Sequence, residues 1–370
     1  MKVAPRLAVH HSSQPAHTVA RRWSSRSRES IVIAAMMLAL VAVFLLSLAI
    51  SSVWVPLDQV VAVLTGMDTE QSSAHVLIRE VRLPRSLTAL LAGAALGIAG
   101  LQMQTLFRNP LADPYALGIA SGASLGVALV LLTSGAVVSN VFASSLGLAG
   151  DAAVTAASIA GAALAISVVL GLSNRVENPA TVLILGLMFG YAAQAFVTVL
   201  VAGTDPDKLQ RWVAWGFGSF SGVQWGKMTL FAPLVLIGLG ISALTTKQLN
   251  ALLLGEKYAS SMGLNVRRMR VLTMAGASIL GGVVTAFCGP IAFLGIAIPH
   301  MCRGLLGTSD HRSLVPATIL MGGVVALTAQ IISLLPGNSG VFPLNAVTSL
   351  IGAPVVVIVL MRNRRGAFTA

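Results

Sequence analysis

Residues 82–118 read RLPRSLTALLAGAALGIAGLQMQTLFRNPLADPYALG and decide the fold class of this chain. The stretch between Arg85 and Arg108 carries no charged residue and is rich in Gly and Ala. At about 1.5 Å per helical residue, it is long enough to cross the hydrocarbon core of a bilayer. An Arg-Leu-Pro-Arg corner precedes it, and the turn Asn-Pro-Leu-Ala-Asp-Pro leads into another apolar run. This layout predicts a membrane helix with a charged corner at one end and a shaped loop at the other.

The composition of the whole chain agrees with a membrane protein. Of 370 residues, 56% are hydrophobic and only 10% are charged, and the mean hydropathy is +0.86. An ordinary soluble domain has a charged fraction of about 25%. The apolar runs are continuous for about twenty residues, whereas a β-barrel needs alternating segments of about ten. We therefore predict an all-α, polytopic membrane helical bundle, and the 36 glycines indicate helices that approach closely.

The formal charge of +12 invites a nucleic-acid interpretation, but its distribution argues against one. Residues 1–30 hold a cluster of basic residues among Ser, His and Pro: Lys2, Arg6, Arg21, Arg22, Arg26 and Arg28. Such a segment cannot build a core, so we predict a disordered, basic cytosolic tail over 1–30 and no nucleic-acid partner. The apolar run over 31–53 is too long for the core of a signal peptide. It is predicted to be the first membrane helix of a single transmembrane domain over 31–365.

Ten apolar spans follow along the chain, at 31–53, 86–107, 115–133, 152–172, 180–202, 229–246, 271–288, 291–302, 314–335 and 344–361. An even number of spans places both termini on the same side. With both termini in the cytoplasm, the outer segments hold only six of the 24 Lys and Arg residues, namely Arg79, Arg82, Arg85, Lys208, Arg211 and Lys227. A threefold inner excess is what the positive-inside rule expects. Gly289 and Pro290 interrupt 271–302, so the span after them is predicted to be a short or partly re-entrant helix.

Small residues recur at helical spacing on several spans. The glycines that share one helical face by this spacing are Gly93 with Gly97, Gly118 with Gly122 and Gly126, and Gly186 with Gly190. The spacing favours close helix packing within one subunit, and a seam between two subunits is the alternative.

The sequence lacks two features of membrane proteins that have their own energy source, namely acidic residues at membrane depth and a phosphate loop. None of the 12 carboxylates falls near the middle of a predicted span, which weakens a proton- or sodium-coupled carrier. The nearest approach to a phosphate loop, GVQWGK at 222–227, has the wrong glycine spacing and lacks a Ser or Thr after the lysine. Cys288 and Cys302 lie in apolar surroundings without metal or redox spacing. We therefore predict no catalytic residue, no metal and no cofactor, and a separate subunit that supplies energy.

The largest inner loop, 247–270, is the candidate contact for that subunit. It reads KQLNALLLGEKYASSMGLNVRRMR, which predicts a short amphipathic helix over about 251–261 and a stop at Gly263. Its apolar residues, Leu252, Leu253, Leu254, Met262 and Leu264, lie in a water-side segment too short to bury them. A protein partner is favoured, and a positive-inside loop with nothing bound is the alternative. We call 247–270 the coupling loop.

Six motifs in order resemble the membrane permeases of type II ABC importers for iron-siderophores, haem and vitamin B12. They are RLPR at 82–85, QTLFRNPLADP at 104–114, WGFGSFSGVQW at 215–225, LLLGE at 252–256 with SMGL at 261–264, GPIAFLG at 289–295 followed by PH at 299–300, and LIGAP at 350–354. The resemblance covers about residues 31–365. It implies the family's ten-helix arrangement with both ends inside, which agrees with the charge count.

The resemblance implies a subunit of an importer in the cytoplasmic membrane. Its partners would be a second permease subunit, identical or related, two ATP-binding cassette ATPases, an extracytoplasmic substrate-binding protein and membrane lipid. The substrate would be a ferric siderophore, with haem and cobalamin as open alternatives. An ion-coupled secondary carrier and a non-transporting membrane scaffold are the rival hypotheses.

The resemblance also assigns residues. Arg82 and Arg85 would dock the binding protein, because guanidinium groups pair bidentately with carboxylates; two arginines held near lipid headgroups are the alternative. The first cytoplasmic gate would be Asn109, Pro110 and Leu111, and the second would lie at Asn178 and Thr181, although ordinary turns would fit equally. The residues that would couple to the ATPase are Leu254, Gly255, Glu256, Met262, Gly263 and Leu264. His300 is predicted to make a structural hydrogen bond rather than bind a metal.

Overall fold

The computed structural model describes residues 17–51, 53–67, 73–133, 151–173, 176, 179–335 and 341–367, with the side chains of 17–26 and of most residues after 358 left out. These residues form helices and turns, with no strand among them. The helices are α1 (His17–Ala49), α2 (Leu57–Thr65), α3 (Ser73–Leu106), α4 (Ile119–Leu131), α5 (Asp151–Ser173), α6 (Pro179–Ala202), α7 (Pro206–Gly216), α8 (Trp225–Leu244), α9 (Thr246–Leu253), α10 (Glu256–Ser261), α11 (Val266–Cys288), α12 (Leu294–Leu306), α13 (His311–Ser333) and α14 (Leu344–Ala367).

The membrane-helix prediction is confirmed. Within the described ranges, seven helices are long and apolar enough to span a membrane, and three shorter apolar helices accompany them. Each of the ten predicted spans falls on one of these helices. The shorter ones are α4, α12 and the part of α14 over Leu344–Ile358. Which side faces the cytoplasm stays a prediction, and we use "inner" and "outer" in the sense assigned from the charges.

The helix α3 lies at the centre of the bundle. In its most apolar stretch of 18 residues, 83% of the residues are buried, compared with 72% in α11 and 61% in α13. The corresponding share in α1, α5, α6 and α8 is between 17% and 33%. The central helices therefore form the core. The peripheral helices expose apolar side chains, as expected where a bundle meets lipid or a second subunit.

Close approach of the central helices depends on glycine. A Cβ atom built on Gly93 of α3 would overlap the carbonyl of Gly322 on α13, and one on Gly126 of α4 would overlap the carbonyl of Ala157 on α5. These positions allow backbones to touch, which provides the van der Waals contact that holds helices together in lipid. The interpretation of this spacing as packing within one subunit is confirmed at these glycines.

The predicted Arg-Leu-Pro-Arg corner is wrong. The chain runs as one continuous helix through this motif, with a π-helical segment over Leu77–Arg82 in which the Leu83 N–H donates to the Ile78 carbonyl. Proline lacks an N–H and crowds the preceding turn of an α-helix. The wider π turn gives Pro84 room, so the helix continues without a break.

The prediction of a disordered tail over 1–30 is wrong from His17 onward, because α1 begins there. No Pro or Gly occurs between residues 17 and 30. The apolar span can therefore extend its hydrogen-bond ladder toward the N-terminus without new nucleation. At the inner end, the Ser313 hydroxyl donates to Glu29 Oε2 at 2.7 Å. Residues 1–16 lie outside the described part of the chain.

The span interrupted at Gly289 and Pro290 does end in a short helix, α12. The irregular backbone before α12 is tolerated because polar groups of neighbouring segments form hydrogen bonds with it. The Ser219 N–H donates to the Cys288 carbonyl at 2.7 Å, and the Ala292 N–H donates to Asn345 Oδ1 at 2.8 Å. The Asn345 amide in turn donates to the Gly216 carbonyl at 2.9 Å. Asn345 thus joins the irregular segment to the end of α7.

Candidate functional site: outer cleft, gate segments and coupling loop

Arg82 is buried at the outer end of the bundle, with only 2% of its surface exposed. Its guanidinium Nη1 donates to the carbonyls of Leu48 and Ala49 at 2.7 and 2.8 Å, and Nη2 donates to the Val53 carbonyl. The first two carbonyls belong to the last turn of α1, where a helix leaves its carbonyls without intrahelical partners. Arg82 therefore caps α1 and fastens it to α3. In this conformation both terminal nitrogens of Arg82 are engaged within the chain, and its Nε is buried without a partner among the described residues.

Arg85 has a different environment. It is half-buried and lines an outer cleft of about 180 Å³ together with Phe217, Ser219, Gln330 and Phe342. Its Nε atom is buried and has no hydrogen-bond partner within the described part of the chain. A guanidinium that lines an open cleft can donate charge-assisted hydrogen bonds to a carboxylate. Part of the WGFGSFSGVQW motif lines this cleft, through Phe217 and Ser219.

The segment predicted to form the first gate, Asn109 to Leu111, follows the end of α3, and we call it the first gate segment. The Arg108 N–H donates to the Thr105 carbonyl and the Asn109 N–H donates to the Gln104 carbonyl at 3.2 Å, with φ of +47° at Arg108. This is the Schellman arrangement, in which the position with positive φ is usually glycine. The helix therefore stops here, and the chain reverses.

Asn109, Pro110 and Leu111 are brought together in one tight turn. Asn109 Oδ1 accepts from the Leu111 N–H at 2.9 Å, and His300 Nε2 lies 2.8 Å from the Pro110 carbonyl. A carbonyl can only accept, so the proton lies on His300 Nε2. The predicted structural hydrogen bond of His300 is confirmed. The Leu111 side chain remains 40% exposed.

The chain after this turn folds back between helices. Asp113 Oδ1 accepts from the Tyr115 N–H at 2.8 Å and caps the short 3₁₀ helix Pro114–Leu117. The Tyr115 hydroxyl lies 3.4 Å from both Thr285 Oγ1 and the Ile291 nitrogen. Thr285 lies in the outer half of α11, whereas the loop leaves α3 at its inner end. The loop therefore passes back into the bundle.

The segment predicted to form the second gate, at Asn178 and Thr181, is only partly described, and we call it the second gate segment. Asn178 lies outside the described residues, and Thr181 is half-buried in the first turn of α6. Among described residues, no hydrogen bond joins Thr181 to the turn at 109–111. Val176, two residues before Asn178, is described, and its carbonyl accepts from Arg270 Nη1 at 3.4 Å.

The coupling loop contains two short helices rather than the single helix predicted over 251–261. Gly255 separates α9 from α10 with φ of +117°, a conformation that only glycine adopts readily. The second helix, α10, ends at Ser261, just before the predicted stop at Gly263, whose φ is +83°. No proline lies at Gly255, so the sequence pattern gave no signal for a break between α9 and α10.

The apolar residues of the coupling loop divide between core and surface. Leu252 is 3% exposed and packs into the core, so its predicted role as partner-facing surface is wrong, while Leu264 is half-buried. Leu254 is 65% exposed and Met262 is 52% exposed. Tyr258, 54% exposed, adds to this surface and was missed from the sequence, although its position on the helix turn before Met262 could have indicated it. We call Leu254, Tyr258 and Met262 the coupling patch.

Charged groups fix the ends of the coupling loop. Glu256 Oε1 forms a salt bridge with Arg270 Nη2 at 3.2 Å, and the Glu256 side chain remains 40% exposed. At the other end, Asn250 Oδ1 accepts from the His311 N–H at 2.9 Å and its amide donates to Asp310 Oδ1 at 2.6 Å. Partial burial raises the pKa of Asp310, but hydrogen bonds from the Arg312 N–H and the Asn250 amide outweigh it and leave the pKa below its ordinary value. The sequence reading did not single out Asn250 and Asp310.

The bundle and its shaped inner loops define an integral, polytopic helical membrane protein. Residues 39–362 match the FecCD transport family, and the chain belongs to that family. The family predicted from the six motifs is thereby confirmed.

Individual relatives and a solved structure agree. The chain is 34% identical over 306 residues to an ABC transporter permease protein of Methanocaldococcus jannaschii, with 78% of this chain and 84% of the relative covered. It is also 34% identical over 348 residues to the vitamin B12 import system permease protein BtuC of Klebsiella pneumoniae, with 94% and 98% covered. A solved metal-chelate type ABC transporter in an inward-facing conformation superposes with a TM-score of 0.77 at 27% identity, over 90% of this chain and 99% of that one.

Proposed function

We propose that the chain is the transmembrane subunit of an ATP-driven importer that moves a metal chelate across the cytoplasmic membrane. The observation that carries this proposal is the coupling patch, an apolar surface on the predicted inner side of a protein of this family. Apolar side chains on a short water-side loop favour a protein partner. That partner is a pair of ATP-binding cassette ATPases, since this chain holds no phosphate loop.

The substrate is a metal chelate, with a ferric siderophore as the first candidate. The support is the full-length similarity to a transporter of metal-chelate type. A second candidate, cobalamin, is favoured by the vitamin B12 permease that aligns over 94% of this chain. Haem is a third chelate of the same class. All three are bulky, so the pathway between two permease subunits has to be wide and weakly adhesive.

Docking of the extracytoplasmic binding protein is assigned to Arg85. The Arg85 side chain lines the open cleft, whereas both terminal nitrogens of Arg82 donate to carbonyls at and just after the end of α1. Arg82 contributes indirectly, because it fixes the helix on which Arg85 stands. The stretch SLLPGNSGVFP at 333–343 contains no arginine, so a further cationic contact before the last helix is absent from this sequence.

The inner pathway closes at the two gate segments. Asn109 and Pro110 hold a rigid turn that presents the Leu111 side chain, and Thr181 with Asn178 supplies the second segment. A gate of Leu, Asn and Thr closes by packing and polar contact without trapping a charge. ATP-driven movement of the coupling loop would bias the pathway between inward- and outward-open states.

The test is uptake by the reconstituted complex. Proteoliposomes containing this chain, its ATPase and its binding protein are supplied with ⁵⁵Fe-ferrichrome or with ⁵⁷Co-cyanocobalamin, with and without ATP. ATP-dependent accumulation of the iron chelate supports the first candidate, and accumulation of cobalamin alone supports the second. Accumulation that ATP does not affect would contradict the proposal.

A further inference from the structure

The short outer helix α2 carries an apolar stripe on its surface. Its residues Leu57, Val61 and Leu64 are between 42% and 48% exposed. They follow one another at spacings of four and three residues, so they share one side of the helix. Apolar side chains grouped in this way mark a surface that meets another apolar phase or a partner. We call Leu57, Val61 and Leu64 the lateral stripe.

The lateral stripe lies beside the packed face of α2 rather than opposite it. The packed face holds Val60 and Val63, which are buried in one cluster with the last turn of α1 and the π-helical segment of α3. At about 100° per residue, the stripe is centred about 100° around the helix from this face. Asp58 and Thr65, both exposed, lie roughly opposite the packed face. The carboxylate requires water, so the polar side of α2 points to water and the stripe points sideways.

The apolar surface of α1 continues into this stripe. Most residues in the apolar stretch of α1 are exposed, as on a helix that meets lipid, and Leu46 in its last turn is among them. Val53 and Trp54, which lead from α1 to α2, are exposed as well. An indole has an apolar body and a polar N–H, and tryptophan is therefore enriched where a membrane meets water. The surface that α1 presents to lipid thus extends through Trp54 to α2.

The entry to α2 is fastened to the central helix. Arg82 Nη2 donates to the Val53 carbonyl, and Arg82 Nη1 donates to the last carbonyls of α1. The depth of α2 in a bilayer is therefore tied to the depth of α3 at Arg82. Arg85 stands three residues further along the same helix, so contact of α2 with lipid would also set the level of the outer cleft.

Charge favours lipid over protein as the occupant of the lateral stripe. Residues 53–67 contain one charged residue, Asp58, and no cation. They offer no group that could pair with carboxylates of a docking protein, as Arg85 does. An interfacial helix needs an apolar side, a charged or polar side and aromatic residues near the headgroups. The stretch from Trp54 to Thr65 supplies all three.

We propose that α2 is an interfacial anchor, with the lateral stripe and Trp54 at the boundary between the headgroups and the acyl chains of the outer leaflet. Asp58 faces the water above it. The partner is a lipid surface. This inference goes beyond the proposed function, because it concerns membrane contact and holds for any transported substrate.

The test places nitroxide labels on the full-length chain in vesicles of phosphatidylethanolamine and phosphatidylglycerol. One cysteine is introduced at a time, by Val61→Cys on the stripe or by Asp58→Cys on the polar side. The wild type, whose Cys288 and Cys302 are buried, is the labelling control. Oxygen concentrates in hydrocarbon, whereas a neutral nickel chelate stays in water. Collisions with oxygen should exceed those with the chelate at position 61, and the order should reverse at position 58.

Two results at position 61 would overturn the proposal. If the nickel chelate reaches the label more often than oxygen does, the stripe faces water. If neither agent reaches the label, with or without an extracytoplasmic binding protein, protein rather than lipid covers the stripe.

The fluorescence of Trp54 tests the same placement without a label. The difference in emission between the wild type and Trp54→Phe isolates this residue from the other tryptophans. Lipids brominated near the headgroup end of their acyl chains should quench this emission more strongly than lipids brominated near the methyl end. Quenching by aqueous iodide, combined with none by either brominated lipid, would contradict the proposed anchor.

Discussion

Replacement of Arg82 by leucine should destabilise the fold rather than only weaken docking. The guanidinium donates to three backbone carbonyls, and two of them end α1. Removing the charged partner from such a buried network typically costs about 3–5 kcal/mol, because the remaining groups are left unsatisfied. At roughly 2–3 °C per kcal/mol for a chain of this size, we expect the Tm to fall by roughly 6–15 °C.

The two free cysteines provide the assay. Cys288 and Cys302 are both buried, so a maleimide dye that fluoresces on reaction with thiols reports unfolding of the detergent-purified chain. Arg82→Leu is compared with Arg85→Leu, a change of the same type three residues away at the half-buried cleft position. Arg85→Leu should leave the Tm within about 2 °C of the wild type. Equal Tm values for Arg82→Leu and the wild type, combined with loss of stimulation by the binding protein, would refute the capping role of Arg82.

Three further changes test packing, electrostatics and partner binding. Gly93→Ala should lower the free energy of unfolding by about 2 kcal/mol, because the added methyl group meets a backbone carbonyl. The control Gly171→Ala places its methyl group in open space and should not lower stability. The Tm measured with the thiol dye compares the two variants, and equal Tm values would contradict the packing account. Asp310→Asn should lower the Tm near neutral pH, because the lowered pKa of Asp310 means that its ionised form stabilises the fold. The Tm difference between the wild type and the variant should disappear as the pH falls below about 4. A Tm difference that grows on acidification would contradict this assignment. Leu254→Asp on the coupling patch should abolish co-purification of the ATPase with an unchanged Tm, and undiminished co-purification would remove Leu254 from that interface.

The membrane helices could be predicted because their signal is local. A continuous apolar run of about twenty residues has few alternatives in lipid, so all ten spans fall on observed helices. The glycine spacing on α3 and α4 likewise predicted close packing, since small residues are needed wherever helices touch. The turn at Asn109 followed from its prolines, and the structure adds the hydrogen bond from His300 that holds it.

What the sequence could not reveal depends on contacts between distant segments or on unusual backbone. Burial of Arg82 results from carbonyls more than 25 residues earlier in the chain, and an arginine at a helix end reads equally as surface charge. The π-helical segment absorbs Pro84, which normally signals a break. Gly255 could equally have continued a helix, and the burial of Leu252 depends on how α9 packs against the bundle. The contact of Arg108 Nη2 with the Leu252 carbonyl likewise joins residues 144 positions apart in the chain.

The most direct test of the account asks what drives accumulation. This chain is reconstituted into vesicles alone, and in parallel with its ATPase and binding protein, under an imposed proton or sodium gradient and then with ATP and an ionophore. The account predicts accumulation of the chelate only in the complete complex, with ATP, and undiminished by the ionophore. Uphill accumulation by the chain alone on an ion gradient would contradict it.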